Sequence, residues 1–410
     1  MTLSNRRVAI VDPVRTAVGA FGGALRPVAA EDLAAEVIKA LVERSGIDPA
    51  RIEDVAFAQS YANSEAPCIG RWAALNAGLP VEVPGFQLDR RCGGGLQAVV
   101  TAAMMVQTGA ADVVVAGGVE SMSNIEHYTT TARWGSRSGN QTLYDRLDRG
   151  RERSQPSWRF GPISGMIETA ENLAVATGIG RDEADAFSVR SHQRAAAAWS
   201  SGVFDDEVVP VSVPQRRGEP VVFDRDEGVR PESSMETLGG LRVIQPGGTV
   251  TAGNSAQQND AAAACLVVAE DKLEELGLEP IAWFEGWAAA GCDPAMMGLG
   301  PVPAVRRLFE RTGVGFDDLD LIEVNEAFAV QVLAVLQGWG LKLDEVDARL
   351  NVNGSGISLG HPIGATGVRI LTTMLHELRR RSVPGGGLAL ETMCIGGGQG
   401  IAALFRGVGS

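Results

Sequence analysis

Two stretches of the 410-residue chain pass through the same order of structural signals, and that order limits what the chain can fold into. Gly46-Ile47, followed by Ile52-Glu53-Asp54-Val55, is matched at identical spacing by Gly313-Val314, followed by Leu319-Asp320-Leu321-Ile322. Each half then reaches a glycine-rich turn, a helix, and an apolar strand ending in glycines. In the first half these are residues 93–108 and 113–118. In the second they are residues 365–381, then 388–390, ending at Gly396-Gly397-Gly398. Residue by residue the match is weak enough for two unrelated helix–strand units, but the shared order favours a duplicated fold. Short β-branched runs (residues 8–11, 54–58 and 112–116) alternate with helical ones such as 31–45. That alternation predicts layered α/β architecture around a buried, largely parallel sheet.

Residues 123–246 differ in texture, being rich in Arg, Ser and Pro, with helical stretches at 168–177 and 181–201. They read as an insertion. The expected division is an N-terminal domain of residues 1–122 and 247–276, an inserted loop domain of 123–246, and a C-terminal domain of 277–410. The 51 glycines cluster beside apolar runs and read as tight turns rather than linkers.

The net charge of -14 argues against nucleic-acid binding, which needs a positive field. Residues 126–160 run against that balance, with seven arginines and four acids. They form either a solvated surface or a docking face for a phosphate-bearing small molecule. Five cysteines without a short CxxC pair suit reduced thiols in a cytoplasm, not a disulfide framework or a zinc site. Residues 1–10 lack a secretory apolar region, no run approaches the roughly 20 apolar residues of a membrane span, and the tail is no peroxisomal address.

Four motifs carry chemistry. In Arg91-Cys92-Gly93-Gly94-Gly95-Leu96 an apolar approach leads to a cysteine on a glycine turn that opens a helix. Unpaired N–H groups and the helix dipole are expected to lower its pKa towards the nucleophilic thiolate, although a buried packing cysteine would look the same. The loop Asn351-Val352-Asn353-Gly354-Ser355-Gly356-Ile357-Ser358-Leu359-Gly360-His361-Pro362 carries one of four histidines. Its glycines are wrongly spaced for a dinucleotide fingerprint, leaving a general base or a packed histidine. Cys394 ends an apolar strand before three glycines, and Asn325-Glu326 closes another strand where an amide can hold a water or polarise a carbonyl.

In order and spacing these motifs, with Val119-Glu120-Ser121-Met122-Ser123 and Ala170-Glu171-Asn172, resemble the thiolases, coenzyme A-dependent acyltransferases, over nearly the whole chain. The resemblance implies two similar α/β domains related by a pseudo-twofold, with the insertion binding coenzyme A. It implies that Cys92 carries the acyl group, His361 takes its proton, and Cys394 moves a proton at the α-carbon of acetyl-coenzyme A. One oxyanion site falls to His361 and an Asn325-held water, a second to the N–H groups of Cys92 and Gly396. Arg230 is similar to an adenine-contacting arginine, while Met166, Met297 and Phe328 fall where the family lines the acyl and pantetheine channel. Acyl-coenzyme A would be the substrate with no bound cofactor or metal, and the chain a homodimer or homotetramer with residues 123–159 between dimers.

Three departures touch specificity. Cys92-Gly93-Gly94-Gly95 replaces the frequent Cys-Gly-Ser-Gly, Ala256 stands where a serine commonly meets the pantetheine, and Gly165 stands where acetoacetyl-specific members carry a histidine. The competing readings are a ketoacyl-synthase-like condensing enzyme, which needs one cysteine, and an inactive thiolase-like lipid- or acyl-coenzyme A-binding protein. Condensation of two acetyl-coenzyme A molecules and thiolytic cleavage of a 3-oxoacyl-coenzyme A, as in β-oxidation of fatty acids, are the same chemistry in opposite directions.

Overall fold

The computed structural model describes residues 6–409, so the leader and tail readings at residues 1–5 and 410 lie outside it. Two β–α units built to one plan make up the sheet. The first runs β1 (Val8–Thr16), α1 (Ala30–Ser45), β2 (Asp54–Ala58), α2 (Ile69–Asn76), β3 (Phe86–Leu88), α3 (Gly94–Gln107) and β4 (Val113–Ser121). The chain then leaves the sheet through α4 (Met166–Thr177) and α5 (Arg181–Ser200), and returns in β5 (Asn259–Ala269). The second unit runs β6 (Ala282–Gly291), α6 (Pro301–Thr312), β7 (Leu321–Val324), α7 (Ala329–Trp339), α8 (Thr366–Arg381), β8 (Leu388–Ile395) and β9 (Gln399–Gly407).

Strands hydrogen-bond in the order β7-β8-β9-β6-β1-β5-β4-β2-β3. From the central β1/β6 pair outward, each half repeats one pattern. β5 and β9 lie antiparallel to their neighbours, and β4–β2–β3 is answered by β8–β7 and a parallel bridge from Ile322 to Leu350. The expectation of a largely parallel sheet is therefore corrected. Along this order only the outer pairs are parallel, while those from β4 through β1 and β6 to β8 are antiparallel; off it, the short strand Val208–Val209 runs parallel to β1. The reason is that strands covered by helices on both faces are apolar throughout whichever way their neighbours run, so an apolar run does not encode direction.

Gly46 and Gly313, the matched glycines, end α1 and α6 at φ 67° and 71°, a left-handed close that suits a residue without Cβ. Helices α3 and α8 lie in one core with strand faces of both halves, among them Ala56, Val114, Ala389 and Phe405. They cross at glycines. A Cβ on Gly95 would come within 2.9 Å of the Val368 nitrogen, and one on Gly367 within 2.1 Å of the Leu96 nitrogen. The helix starts are thereby brought side by side.

Buried polar contacts dock the excursion between β4 and β5. The Arg15 guanidinium is fully buried and pairs with Glu207 at 2.7 Å and Asp226 at 2.8 Å. Removing one partner of such a buried pair typically costs about 3–5 kcal/mol, because the other charge is left stranded. Among the described residues no helix is long and apolar enough to cross a membrane.

Candidate active site

Cys92, the candidate nucleophile of the first half, sits on a tight elbow between β3 and α3. Asp89 accepts a hydrogen bond from the Arg91 N–H at 2.6 Å, and Arg91 takes the left-handed conformation at φ +46°. A non-glycine residue there costs about 1–3 kcal/mol, strain that tertiary contacts must hold. Gly93 rests directly on the second half, since a Cβ there would lie 2.6 Å from Ile395 Cδ1. Cys92, between them, faces a cavity of about 440 Å3.

His361 and Cys394 line the same cavity, although they come from the loop before α8 and from β8. Met166, Ala256, Met297 and Phe328 line it too, as do Ser255, Gln258 and Ala327. Gly396 is not on the lining but lies behind Met166, where a Cβ would fall 3.4 Å from the Met166 sulfur. Two further predicted residues stand elsewhere. Asn325 is fully buried outside the lining, and neither atom of its amide has a protein partner. Arg230 is exposed, its guanidinium turned onto the carbonyls of Glu227 at 2.6 Å and Val229 at 3.2 Å. The arginine-rich stretch divides as well: Arg151 reaches the reaction cavity, while Arg146, Arg149 and Arg153 join Arg91 in a separate cleft beside Tyr61 and Tyr128.

Electrostatics correct one expectation. Burial pushes the Cys92 thiol above its ordinary value, and this outweighs the Gly396 N–H, the Arg91 charge and the cysteine's own N–H, which pull the other way. The helix start alone does not create a thiolate. Burial, with the charges of Arg369 and Arg151 behind it, lowers His361 to about 3, so the resting imidazole is neutral. Burial also drives Cys394 well up, with Cys92 and Cys292 adding to the effect. The resting site holds two thiols and a neutral base.

The tautomer of the imidazole is set locally. His361 Nδ1 lies 2.7 Å from Thr366 Oγ1, and Thr366 donates its own hydroxyl proton to the Pro362 carbonyl at 2.9 Å. With that proton committed, Thr366 accepts from Nδ1–H, leaving the Nε2 lone pair for the cavity.

Several supporting residues were given no role by the sequence, Glu326 and Glu171 appearing there only inside motifs. Asn259 accepts the His361 N–H at 2.9 Å and donates to the Gly19 carbonyl at 3.0 Å. Glu326 accepts from Ser191, Asn351 and the Ile357 N–H, tying α5 to the loop that carries His361. Glu171 accepts from Thr249 and Val250, and Asp185 holds Asn254, fixing the wall that contains Ser255 and Ala256. Glu120, visible in the sequence only as part of a motif, is buried and accepts from the N–H groups of Ser60, Tyr61 and Gly364. Its carboxyl is pushed up to about 7 by burial.

Comparison with known proteins converges with this geometry. Residues 8–271 match the family model "Thiolase, N-terminal domain" and residues 278–407 match "Thiolase, C-terminal domain". An acetyl-CoA acetyltransferase of Chromobacterium violaceum is 46% identical over 96% of this chain and 98% of that protein. One from Cupriavidus necator is 44% identical, again over 96% and 98%. The crystal structure of the Bacillus anthracis acetyl-CoA acetyltransferase superposes with a TM-score of 0.93 at 39% identity, covering 99% of this chain and 100% of that one. Human mitochondrial 3-ketoacyl-CoA thiolase in complex with CoA gives 0.90 at 37% identity over 98% of each chain. The two family models follow one another along nearly the whole chain, and the chain belongs to the thiolase family.

Proposed function

We propose that the chain is a coenzyme A-dependent acyltransferase that cleaves or forms 3-oxoacyl-coenzyme A through an acyl-Cys92 intermediate. The observation that carries this reading is the meeting of Cys92, His361 and Cys394, from three elements and both halves, on one cavity. The acetyl-CoA acetyltransferases named above and the coenzyme-bound thiolase neighbour support the substrate class.

In cleavage, His361 Nε2 takes the Cys92 proton as the sulfur adds to the 3-oxo carbonyl. The resulting tetrahedral oxyanion meets the N–H groups of Cys92 and Gly396, while protonated His361 and a water on the Asn325 amide hold the thioester oxygen of the departing enolate. The carbon–carbon bond then breaks, Cys92 keeps the acyl group, and the departing acetyl-coenzyme A enolate takes a proton from Cys394. Incoming coenzyme A returns a proton to the Cys394 thiolate and attacks the acyl thioester. Its oxyanion meets the N–H groups of Cys92 and Gly396, donors of the kind worth about 3 kcal/mol. Cys92 leaves as a thiolate and regains its proton from His361. Condensation runs the same steps backwards, with Cys394 removing the α-proton.

Met166, Met297 and Phe328 shape the acyl and pantetheine channel, Ala256 lies along the pantetheine, and Arg230 meets the adenine at the surface. Every step uses these side chains and coenzyme A alone. A condensing enzyme with one cysteine would not need Cys394 on the cavity, and an inactive carrier would not need the thiol, base and second thiol together. We assign residues 1–122 and 247–276, 123–246, and 277–410 as the three domains. A homodimer or homotetramer in a cytoplasm completes the reading, supported by the unpaired outer edge of β3 and by free cysteines throughout the described residues.

Incubation with acetyl-coenzyme A is expected to add one acetyl group at Cys92, read by intact-mass and peptide mass spectrometry. Folded protein that stays unmodified and fails to cleave acetoacetyl-coenzyme A would refute the proposal.

A further inference from the structure

The separate cleft that Arg91 lines, one residue before Cys92, has a volume of about 610 Å3 and carries charge that the proposed chemistry does not use. The short helix Arg146–Glu152 and the residue that follows it set Arg146, Arg149 and Arg153 at helical spacing on one wall. Arg146 holds Glu126 at 2.8 Å, and Glu126 also accepts the Ser64 N–H at 2.7 Å. Asp148 is taken by Arg151 at 3.2 Å. Among the described residues, Arg91, Arg149 and Arg153 have no carboxylate partner. Packing fixes the wall. A Cβ on Gly150 would fall 2.9 Å from Tyr61 Cε1, and the buried Tyr61 hydroxyl donates to the Leu147 carbonyl at 3.1 Å. The Arg149 guanidinium lies 3.5 Å from the centre of the Tyr144 ring, a stack that holds its plane, and its Nε–H is enclosed without a protein acceptor. Converging guanidinium groups without counter-charge repel one another, a cost that a bound anion removes. Their planar N–H forks match phosphate oxygens in pairs, and three unpaired forks suit an ion with several phosphoryl groups. The coenzyme contacts proposed above come from other segments, around residues 230 and 256.

We infer that this cleft is a regulatory site for an oligophosphate, a di- or triphosphate group, whose binding at Arg91 slows acylation of Cys92. The regulation rests on the proposed acyl-Cys92 chemistry, whereas the binding site stands on the cleft alone. Arg91 is the link between them. Its stem lies against the Gly396 turn, with Cδ 3.6 Å from where a Gly396 Cβ would be, and its charge favours the Cys92 thiolate. An anion on Arg91 cancels that support as the sulfur gives up its proton to His361. Cancelling one charge at this range is expected to slow acylation about fivefold.

Titration calorimetry of the full chain with sodium triphosphate, free of divalent metal, tests the site. Saturable binding is expected, weakened about tenfold in Arg149→Ala and in Arg153→Ala. Adenosine triphosphate binding tighter than the inorganic ion would assign the cleft to a nucleotide, and equal binding to the phosphates alone. Regulation is read from the rate of Cys92 acetylation at saturating acetyl-coenzyme A, where an ion competing for the coenzyme's own contacts would have no effect. Triphosphate is expected to slow the wild type about fivefold, and both variants less at the same concentration. No saturable binding, binding that both variants leave unchanged, displacement of triphosphate by coenzyme A, or binding without slowing overturns the inference. Cys92 left unacetylated with and without triphosphate, in protein that binds the ion, would instead defeat the proposed function.

Discussion

The two halves share a strand order and a helix crossing, yet they contribute different chemistry. At the start of the central helix, the first half supplies Cys92 and the second supplies His361. At the end of the strand that follows, the second half supplies the thiol of Cys394. The first half supplies Glu120, whose carboxylate is occupied by three backbone N–H groups. Their cores differ too. Where β2 and β4 pair Ala56 with Ala116, β7 and β8 pair Glu323 with Glu391, two buried acids below Arg369. Duplication thus sets where reactive groups can meet, because the crossing at Gly95 and Gly367 places both helix starts on one cavity. In the proposed mechanism, divergence of the side chains decides which half attacks, which accepts the proton and which only supports.

Exchanging roles between the halves should fail in graded ways. Cys92→Ala is expected to abolish the acetyl adduct and lower turnover by about 10^4-fold or more, measured by mass spectrometry and steady-state thiolysis. Cys394→Ala should still form the adduct but lose condensation by roughly 10^3-fold, since it removes only the acid–base partner. An adduct lost together with condensation would mean that the cysteines are not divided in this way.

The shared crossing is tested by Gly367→Ala, which places a methyl group against the Leu96 nitrogen. A loss of about 3 kcal/mol in chemical denaturation is expected, and an unchanged midpoint would show that the helices can separate at no cost.

Buried acids give a pH test with one residue from each half. Glu120 is raised to about 7 and Glu391 well above the ordinary 4.5. A carboxyl raised on folding contributes its stability below the unfolded value and loses it as pH rises through the folded value. The wild type should therefore weaken by about 2–3 kcal/mol between pH 5 and 8 through Glu120, and at higher pH through Glu391. Denaturant midpoints that fall less with rising pH in Glu120→Gln and Glu391→Gln are the expected result. Smallest of these effects, Thr366→Val should lower kcat about tenfold with little change in KM, while Thr366→Ser restores it. Equal losses in both variants would point to packing rather than to the tautomer of His361.

Much of this was legible from local pattern. The strand of residues 54–58 and the α1 and α8 segments lie where periodicity and glycine stops put them, because helix and strand periods and left-handed caps are properties of short stretches. Cys92, His361 and Cys394 stood out because each is a reactive type set among glycines. Strand direction was not legible, since helices covering both faces make parallel and antiparallel strands equally apolar. Nor was the protonation state of Cys92, because desolvation by the other half outweighs the local helix start.

What the amino-acid order determined by itself was a pair of similar α/β units, each carrying reactive groups on glycine turns. Tertiary structure alone decided that these groups face one cavity and that Thr366 orients the base. It also decided that Asn259 and Glu326 brace the loop around His361. Such relations depend on distances between residues far apart in the chain, and on burial that no neighbouring residue encodes.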